Sequence, residues 1–294
     1  MGSTPARSGK LKTYLQLGRV SNLPTVWTNV LAGLVLAGGQ VTASHFLILA
    51  LSLSCSYVGG MFLNDAFDRE HDRRFRPERP IPSGAASAQE VLSIGFGLLA
   101  SGFLALLSFV HEGGWQLVAA GVMLALLILF YDLHHKQNPW SLLVMAGCRA
   151  MIYVIAAFTL APILSASLFL GIAALFSYIV GLSALALHEA DQRPGPLWPF
   201  ALILGPFVGV MPTMSFSIGI ALLSALLVSW MGYSAWCTVR GTVPQVRSAI
   251  GLWIAGISLL DAWLIASQEP KGLALLAIFG YVTTMTLQRW VKGT

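Results

Sequence analysis

The sequence predicts an all-α fold, a polytopic transmembrane helix bundle of nine or ten spans, and three observations predict it. Hydrophobic residues make up 56% of the chain before glycine is counted, and only 10% of its residues are charged, against roughly 25% in a soluble domain. Mean hydropathy is +0.75, and the apolar residues come in runs close to the ~20 residues that cross a hydrocarbon core. The basic residues fall on one side of those runs. Together these exclude a disordered chain, a nucleic-acid-binding module and an ordinary water-soluble enzyme.

Ten segments carry the runs, at about 22–38, 45–63, 90–110, 115–131, 142–162, 167–187, 197–212, 215–237, 248–267 and 271–288. The first follows a basic stretch, as a signal peptide would, but apolar runs continue along the chain. It therefore reads as an uncleaved first span behind a cytoplasmic tail at 1–18. The seventh is short, contains Pro206, and passes into the eighth through Met211-Pro212. It is either a full span or a re-entrant hairpin, hence nine or ten.

With the N-terminus inside, the charges sort themselves. Arg7, Lys10, Lys12 and Arg19 precede span one, and Arg69, Arg73, Arg74, Arg76 and Arg79 follow span two. Lys136 follows span four, Arg193 span six, Arg240 and Arg247 span eight, and Arg289 and Lys292 come last. Of seventeen Lys and Arg, only Lys271 falls in an outer connection, and Arg149 lies within span five. This asymmetry predicts a multi-pass protein of a bacterial-type inner membrane, with its N-terminus and polar working face cytoplasmic. No soluble domain or repeat interrupts residues 1–294, so one membrane domain is expected. Cys55, Cys148 and Cys237 lie in apolar stretches without metal-ligand spacing and read as small core residues.

The end of span two is where charge concentrates. Asn64, Asp68 and Asp72 recur at i, i+4 and i+8, which on a continuing helix places them along one face. Three stacked oxygen-bearing side chains suit a hard cation such as Mg²⁺, which takes one or two carboxylates and completes its shell with water and substrate phosphate. Five carboxylates and five arginines interleave between residues 64 and 79. Ordinary ion pairs of a solvated helix end, such as Asp72 with Arg76 or Arg69 with Asp65, are the competing explanation. After them, Arg79-Pro80-Ile81-Pro82-Ser83-Gly84 predicts a rigid, extended, non-helical connection.

Asn64-Asp65-x-x-Asp68-Arg69-x-x-Asp72 at the end of span two, followed by Arg79-Pro80-Ile81-Pro82-Ser83-Gly84, resembles the first signature of the UbiA superfamily of intramembrane prenyltransferases. In that family the Asn-x3-Asp-x3-Asp residues hold Mg²⁺ against an isoprenoid diphosphate. The resemblance implies that role for Asn64, Asp68 and Asp72, with Asp68 and Asp72 catalytic.

The family's second motif, Asp-x3-Asp, belongs at the end of span six. Here that stretch reads His188-Glu189-Ala190-Asp191-Gln192-Arg193-Pro194. Glu189 stands for the first acid, but Arg193 occupies the place of the second, and Asp191 comes two residues after Glu189. By resemblance Glu189 and Asp191 are catalytic metal ligands in altered geometry, or Arg193 contacts the diphosphate in place of a second cation, or the site has lost the reaction.

Tyr131-Asp132-Leu133-His134-His135-Lys136 resembles the family's Tyr-x3-Lys element with one extra residue, which implies a diphosphate contact for Lys136. Lys136 is equally well explained as a topogenic charge, and Asp132 with the two histidines also permits a metal cluster. Arg149, deep in span five, is expected to face the interior and pair, or else to snorkel. It is the remaining candidate diphosphate donor. With the loop at 131–136, it looks closest to a subgroup that includes the EboC-type proteins. Arg19-Val20-Ser21-Asn22-Leu23-Pro24 resembles the family's opening Arg-Pro motif, which implies that Arg19 and Asn22 line a polar cap. Asp261, in span nine, is expected to be structurally paired and remote from the acidic motifs.

The expected activity is Mg²⁺-dependent transfer of a prenyl group from an isoprenoid diphosphate to an aromatic or other lipophilic acceptor. Its alternative is a non-catalytic or transport-related relative with a degenerate second motif.

Overall fold

Pro24 lies in the first turn of the first apolar helix, where its missing N–H leaves no intrahelical bond unmade, and the chain then runs helical from Leu23 to Leu36 (α2). The computed structural model describes residues 7–136, 138–160, 165–187, 196–214, 217–240, 242–268 and 271–291, among which there is no strand. Before α2, residues Arg7–Leu17 form α1. The expected tail therefore contains a helix, and it docks. Tyr14 stacks on Phe62 and donates to Glu90, while Leu17 is buried.

The apolar segments become helices α3 (Ala43–Phe67), α5 (Ala88–Leu106), α6 (Val110–His134), α7 (Ser141–Phe158), α8 (Ala166–Leu187), α9 (Trp198–Val210), α10 (Ile218–Arg240), α11 (Val243–Ala266) and α12 (Ala274–Leu287), with a short α4 (Arg69–Phe75) after α3. Starts follow local chemistry. Thr42 caps α3 by accepting from the His45 N–H, and Ser87 caps α5 by accepting from that of Glu90.

Residues 88–134 form a hairpin. Phe103 and Leu106 pack against Gly121, although a straight helix would hold residues 103 and 121 about 27 Å apart. Gly114, at φ +56°, supplies the left-handed turn between the two arms.

Six stretches of the described residues are long and apolar enough to cross a membrane, the 88–134 hairpin among them, and three apolar helices are shorter. The ten predicted segments thus appear as ten apolar helices among the described residues. Helix α9 is one of the short ones. It carries Pro206 and ends in a 3-10 turn at Met211–Thr213. At ~1.5 Å per residue its 13 residues fall well short of the ~30 Å core.

Helix α2 is the hub. It touches α3, α7, α8, α11 and α12, and twelve of its fourteen residues are buried. Trp253, Trp263, Tyr153 and Tyr178 fill the core beside it. Leu222, Phe279, Leu275 and Val208 project outward and are more than half exposed, an apolar surface that lipid would cover. The three cysteines are free and half-buried.

Candidate active site

The end of α3 carries the acidic stripe with almost no break. Asp68 caps α3, yet the backbone bonds continue from Asp68 N to Asn64 O, from Asp72 N to Asp68 O and from Arg76 N to Asp72 O, at 2.9, 2.9 and 2.8 Å. The helical spacing expected of Asn64, Asp68 and Asp72 is present. Asn64 and Asp68 line a cavity of about 380 Å³, whereas Asp72 lies beside it, almost wholly buried.

Each acid of the stripe has a basic partner, though not the neighbour expected from helix spacing. Arg79 Nη1 lies 2.9 Å from Asp72 Oδ2 and 3.1 Å from Asp65 Oδ1, and Arg19 Nη2 is 3.7 Å from the same Asp65 oxygen. The reason lies in the loop after α4. Instead of running extended, it coils through turns, with Ser83 N bonded to Arg79 O and Ala86 N to Pro80 O. That brings Arg79 back onto the acids. Arg19 reaches Asp65 from a left-handed backbone conformation, φ +43°, which costs an L-residue about 1–3 kcal/mol.

Asp68 is held from the end of α6. Lys136 Nζ lies 2.9 Å from its Oδ1 and His135 Nε2 3.4 Å from its Oδ2. The other ring nitrogen of His135 donates to the Tyr131 carbonyl at 3.0 Å. Burial works to raise the Asp68 carboxyl, but His135 and Lys136 prevail and hold it below the ordinary carboxylate value. Burial likewise works to lower His135, and Asp68 prevails to hold it above the ordinary imidazole value. His134 turns away and stacks on Phe130. No group of three His, Cys, Asp or Glu among the described residues is placed to hold a metal ion, which disposes of the Asp132-His134-His135 cluster.

Deeper in the bundle, Arg149 faces the interior and does not snorkel. Its guanidinium donates to Asn29 Oδ1 at 3.0 Å and lies 5.4 Å from the centre of the Tyr57 ring. Asn29 in turn donates to both oxygens of Asp261 at 3.1 and 2.8 Å, and Tyr153 donates to Asp261 as well. Asp261 is structurally paired, as expected, and Asn29 links it to the cavity-lining Arg149.

The cavity joins these levels. Arg19, Asn22, Asn64, Asp68, Arg79, Asp132 and His135 line its polar mouth, Arg149 its middle, and Leu53, Leu124, Ile152, Ile179 and Ile257 its apolar body. Lys136 reaches it through Asp68. Glu189, Asp191 and Arg193 lie outside the described residues. The sequence pattern gave Arg79 only as part of the signature loop, and Asp132 and His135 only as members of a metal cluster with His134; it did not assign them the contacts they make here.

A cation with oxygen ligands fits this mouth, since two carboxylates and a carboxamide converge there beside several bases. A charged mouth over an apolar shaft suits a ligand with an anionic head and a hydrocarbon tail.

The architecture defines a membrane-embedded helical bundle with a cavity lined by charged and apolar side chains. Its fold is that of a UbiA homolog from Aeropyrum pernix K1 (TM-score 0.64, 18% identity, 84% of this chain and 97% of that one). It is equally that of a UbiA homolog from Archaeoglobus fulgidus bound to GPP and Mg²⁺ (TM-score 0.62, 12% identity, 93% and 99%). The profile of the UbiA prenyltransferase family matches residues 26–239, and the chain belongs to that family.

Among curated relatives, digeranylgeranylglyceryl phosphate synthase of Methanothrix thermoacetophila is 27% identical over 223 residues, 74% of this chain and 79% of that protein. The synthase of Ignicoccus hospitalis is 42% identical over 95 residues, 32% of this chain and 31% of that protein. The match to the latter spans under a third of that relative's length.

Proposed function

We propose that the protein transfers a prenyl group from an isoprenoid diphosphate to a lipophilic acceptor, with Asn64, Asp68 and Asp72 serving a Mg²⁺ ion. One observation carries this reading: Asp65, Asp68 and Asp72 are each met by a base at the cavity mouth, above an apolar shaft. An arriving diphosphate takes the bases Arg79, Lys136 and His135 as its own partners, which frees Asp68 and Asp72 for the cation. Mg²⁺, when bound, supplies the positive charge that stabilises the departing diphosphate. The apolar wall formed by Leu53, Leu124 and Ile152 keeps water from the allylic carbon as its C–O bond breaks. Arg149, tethered by Asn29, presents a fixed cation below the mouth, and Arg193 adds a further diphosphate contact. Glu189 and Asp191 complete the acidic set in this reading.

The family membership, the relatives named as synthases and the fold neighbour bound to GPP and Mg²⁺ support it. The relatives' name favours an acceptor carrying glyceryl phosphate over an aromatic one. The active face and N-terminus are cytoplasmic by the distribution of Lys and Arg, and the membrane is of the bacterial inner type. The finer placement beside the EboC-type proteins rests on the 131–136 loop and Arg149. The purified protein, given radiolabelled geranylgeranyl diphosphate, Mg²⁺ and either a geranylgeranylglyceryl phosphate or a phenolic acid acceptor, is expected to form a labelled lipid with the former. Labelling of the phenolic acid alone would reverse the acceptor assignment, and labelling of neither would favour a non-catalytic relative.

A further inference from the structure

Asp132 stands out in the cavity wall. It is 4% exposed, on the last turn of α6, and its Oδ1 accepts from Asn64 Nδ2 at 3.2 Å. Its second oxygen, Oδ2, is buried without a hydrogen-bond partner. A buried carboxylate oxygen left unpaired is costly, on the order of 1–3 kcal/mol or more, and calls for a partner of positive character.

The contact with Asn64 has a directional consequence. A carboxylate only accepts, so the amide nitrogen of Asn64 must face Asp132, leaving the carbonyl oxygen of Asn64 for a cation. Asp132 therefore sets which face of Asn64 a ligand meets. Asn64, Asp68 and Asp132 all line the same cavity mouth.

We infer that Asp132 belongs to the divalent-cation site, orienting the Asn64 carboxamide and contributing its unpaired oxygen to the ion. Within the cavity itself Asp68, Asp132 and the Asn64 amide make two carboxylates and one amide, the set that Mg²⁺ takes from a protein before water and phosphate complete its shell. Asp72 acts from beside the cavity, through Arg79. This rests on the cation-dependent reading above and adds a residue that the acidic motifs do not contain.

Mn²⁺ binding tests it without turnover. The full-length protein in detergent is titrated with Mn²⁺ beside a non-hydrolysable thio analogue of geranyl diphosphate, and bound metal is read by loss of the free Mn²⁺ paramagnetic resonance signal. Wild type is expected to bind. Asp132→Asn, equal in shape and able to keep its bond to Asn64, is expected to bind Mn²⁺ about ten- to hundredfold more weakly without a fall in Tm. The double variant Asn64→Asp/Asp132→Asn reverses the pair and restores the charge, and is expected to recover most of the affinity. The double variant also decides the matter if the single one unfolds. Affinity of Asp132→Asn within twofold of wild type, or no recovery in the double variant, overturns the role of Asp132. Absence of Mn²⁺ uptake by wild type overturns the cation-dependent reading itself, a separate failure.

Discussion

Lys136 Nζ lies 2.9 Å from Asp68 Oδ1 while His135 holds the other oxygen, so the central acid of the stripe is clamped by two bases from the neighbouring helix end. A compact ammonium here has two uses under the proposed function. It offsets the buried carboxylate of Asp68, and in the proposed reaction it passes to a phosphate oxygen when substrate arrives. Lys136→Gln should lower kcat/KM for a prenyl diphosphate by roughly ten- to hundredfold, the worth of one charge-assisted contact. Kinetics within twofold of wild type would assign Lys136 to topology alone.

The same clamp has a pH signature in the metal-free protein. His135 is raised by Asp68, so its contribution to stability is full below the ordinary imidazole range and is lost as pH climbs through the raised value. Asp68 is held low, so its share is present above the ordinary carboxylate range and fades as pH falls through the depressed value. Thermal unfolding should therefore show a plateau between these limits. His135→Gln should remove the alkaline decline and leave the acid one. A parent protein whose Tm does not fall on the alkaline side would refute the pairing.

Asn29 supports a charge that has no water to turn to. It donates to both oxygens of the fully buried Asp261 and accepts from Arg149. Replacing it by Ala leaves both ions under-partnered, at a cost of about 2–4 kcal/mol. Unfolding in detergent by a chaotrope should register that loss, and a change below about 1 kcal/mol would show that other groups satisfy Asp261.

Two glycines separate close packing from helix propensity. A Cβ on Gly59 would stand 2.8 Å from the Gly95 carbonyl oxygen and 3.0 Å from the Leu99 nitrogen, both backbone atoms, whereas one on Gly97 meets nothing within 4 Å. Gly59→Ala should push α5 off the helix that carries the acidic stripe, destabilising by about 1–3 kcal/mol. Gly97→Ala should be neutral or stabilise by about 0.5–1 kcal/mol. Equal effects at both positions would remove the close α3–α5 approach from the account.

Much of this was readable in the chain because the bilayer imposes its own ruler. Runs of apolar residues located the apolar helices among the described residues, and the i, i+4, i+8 spacing of Asn64, Asp68 and Asp72 survived the cap at Asp68. Arg149 was legible for a similar reason, since a charge that deep has to find an interior partner. What sequence spacing missed were tertiary pairs. Asp72 was matched to Arg76, four residues on, but a coiled loop returns Arg79 to it. Helix α1 is too polar to announce itself, and it forms against Phe62 and Glu90, residues remote in sequence. Asp132 was grouped with His134 and His135, its neighbours in sequence, because its contact with Asn64 comes from another helix.

The central claim is that the acidic stripe works on a prenyl diphosphate through a divalent cation. The most direct measurement is diphosphate release by the purified protein from geranylgeranyl diphosphate with its lipid acceptor, in Mg²⁺ and in EDTA, for wild type and Asp68→Asn. Release is predicted only for wild type with Mg²⁺. Equal release in EDTA, or by Asp68→Asn, would contradict the account.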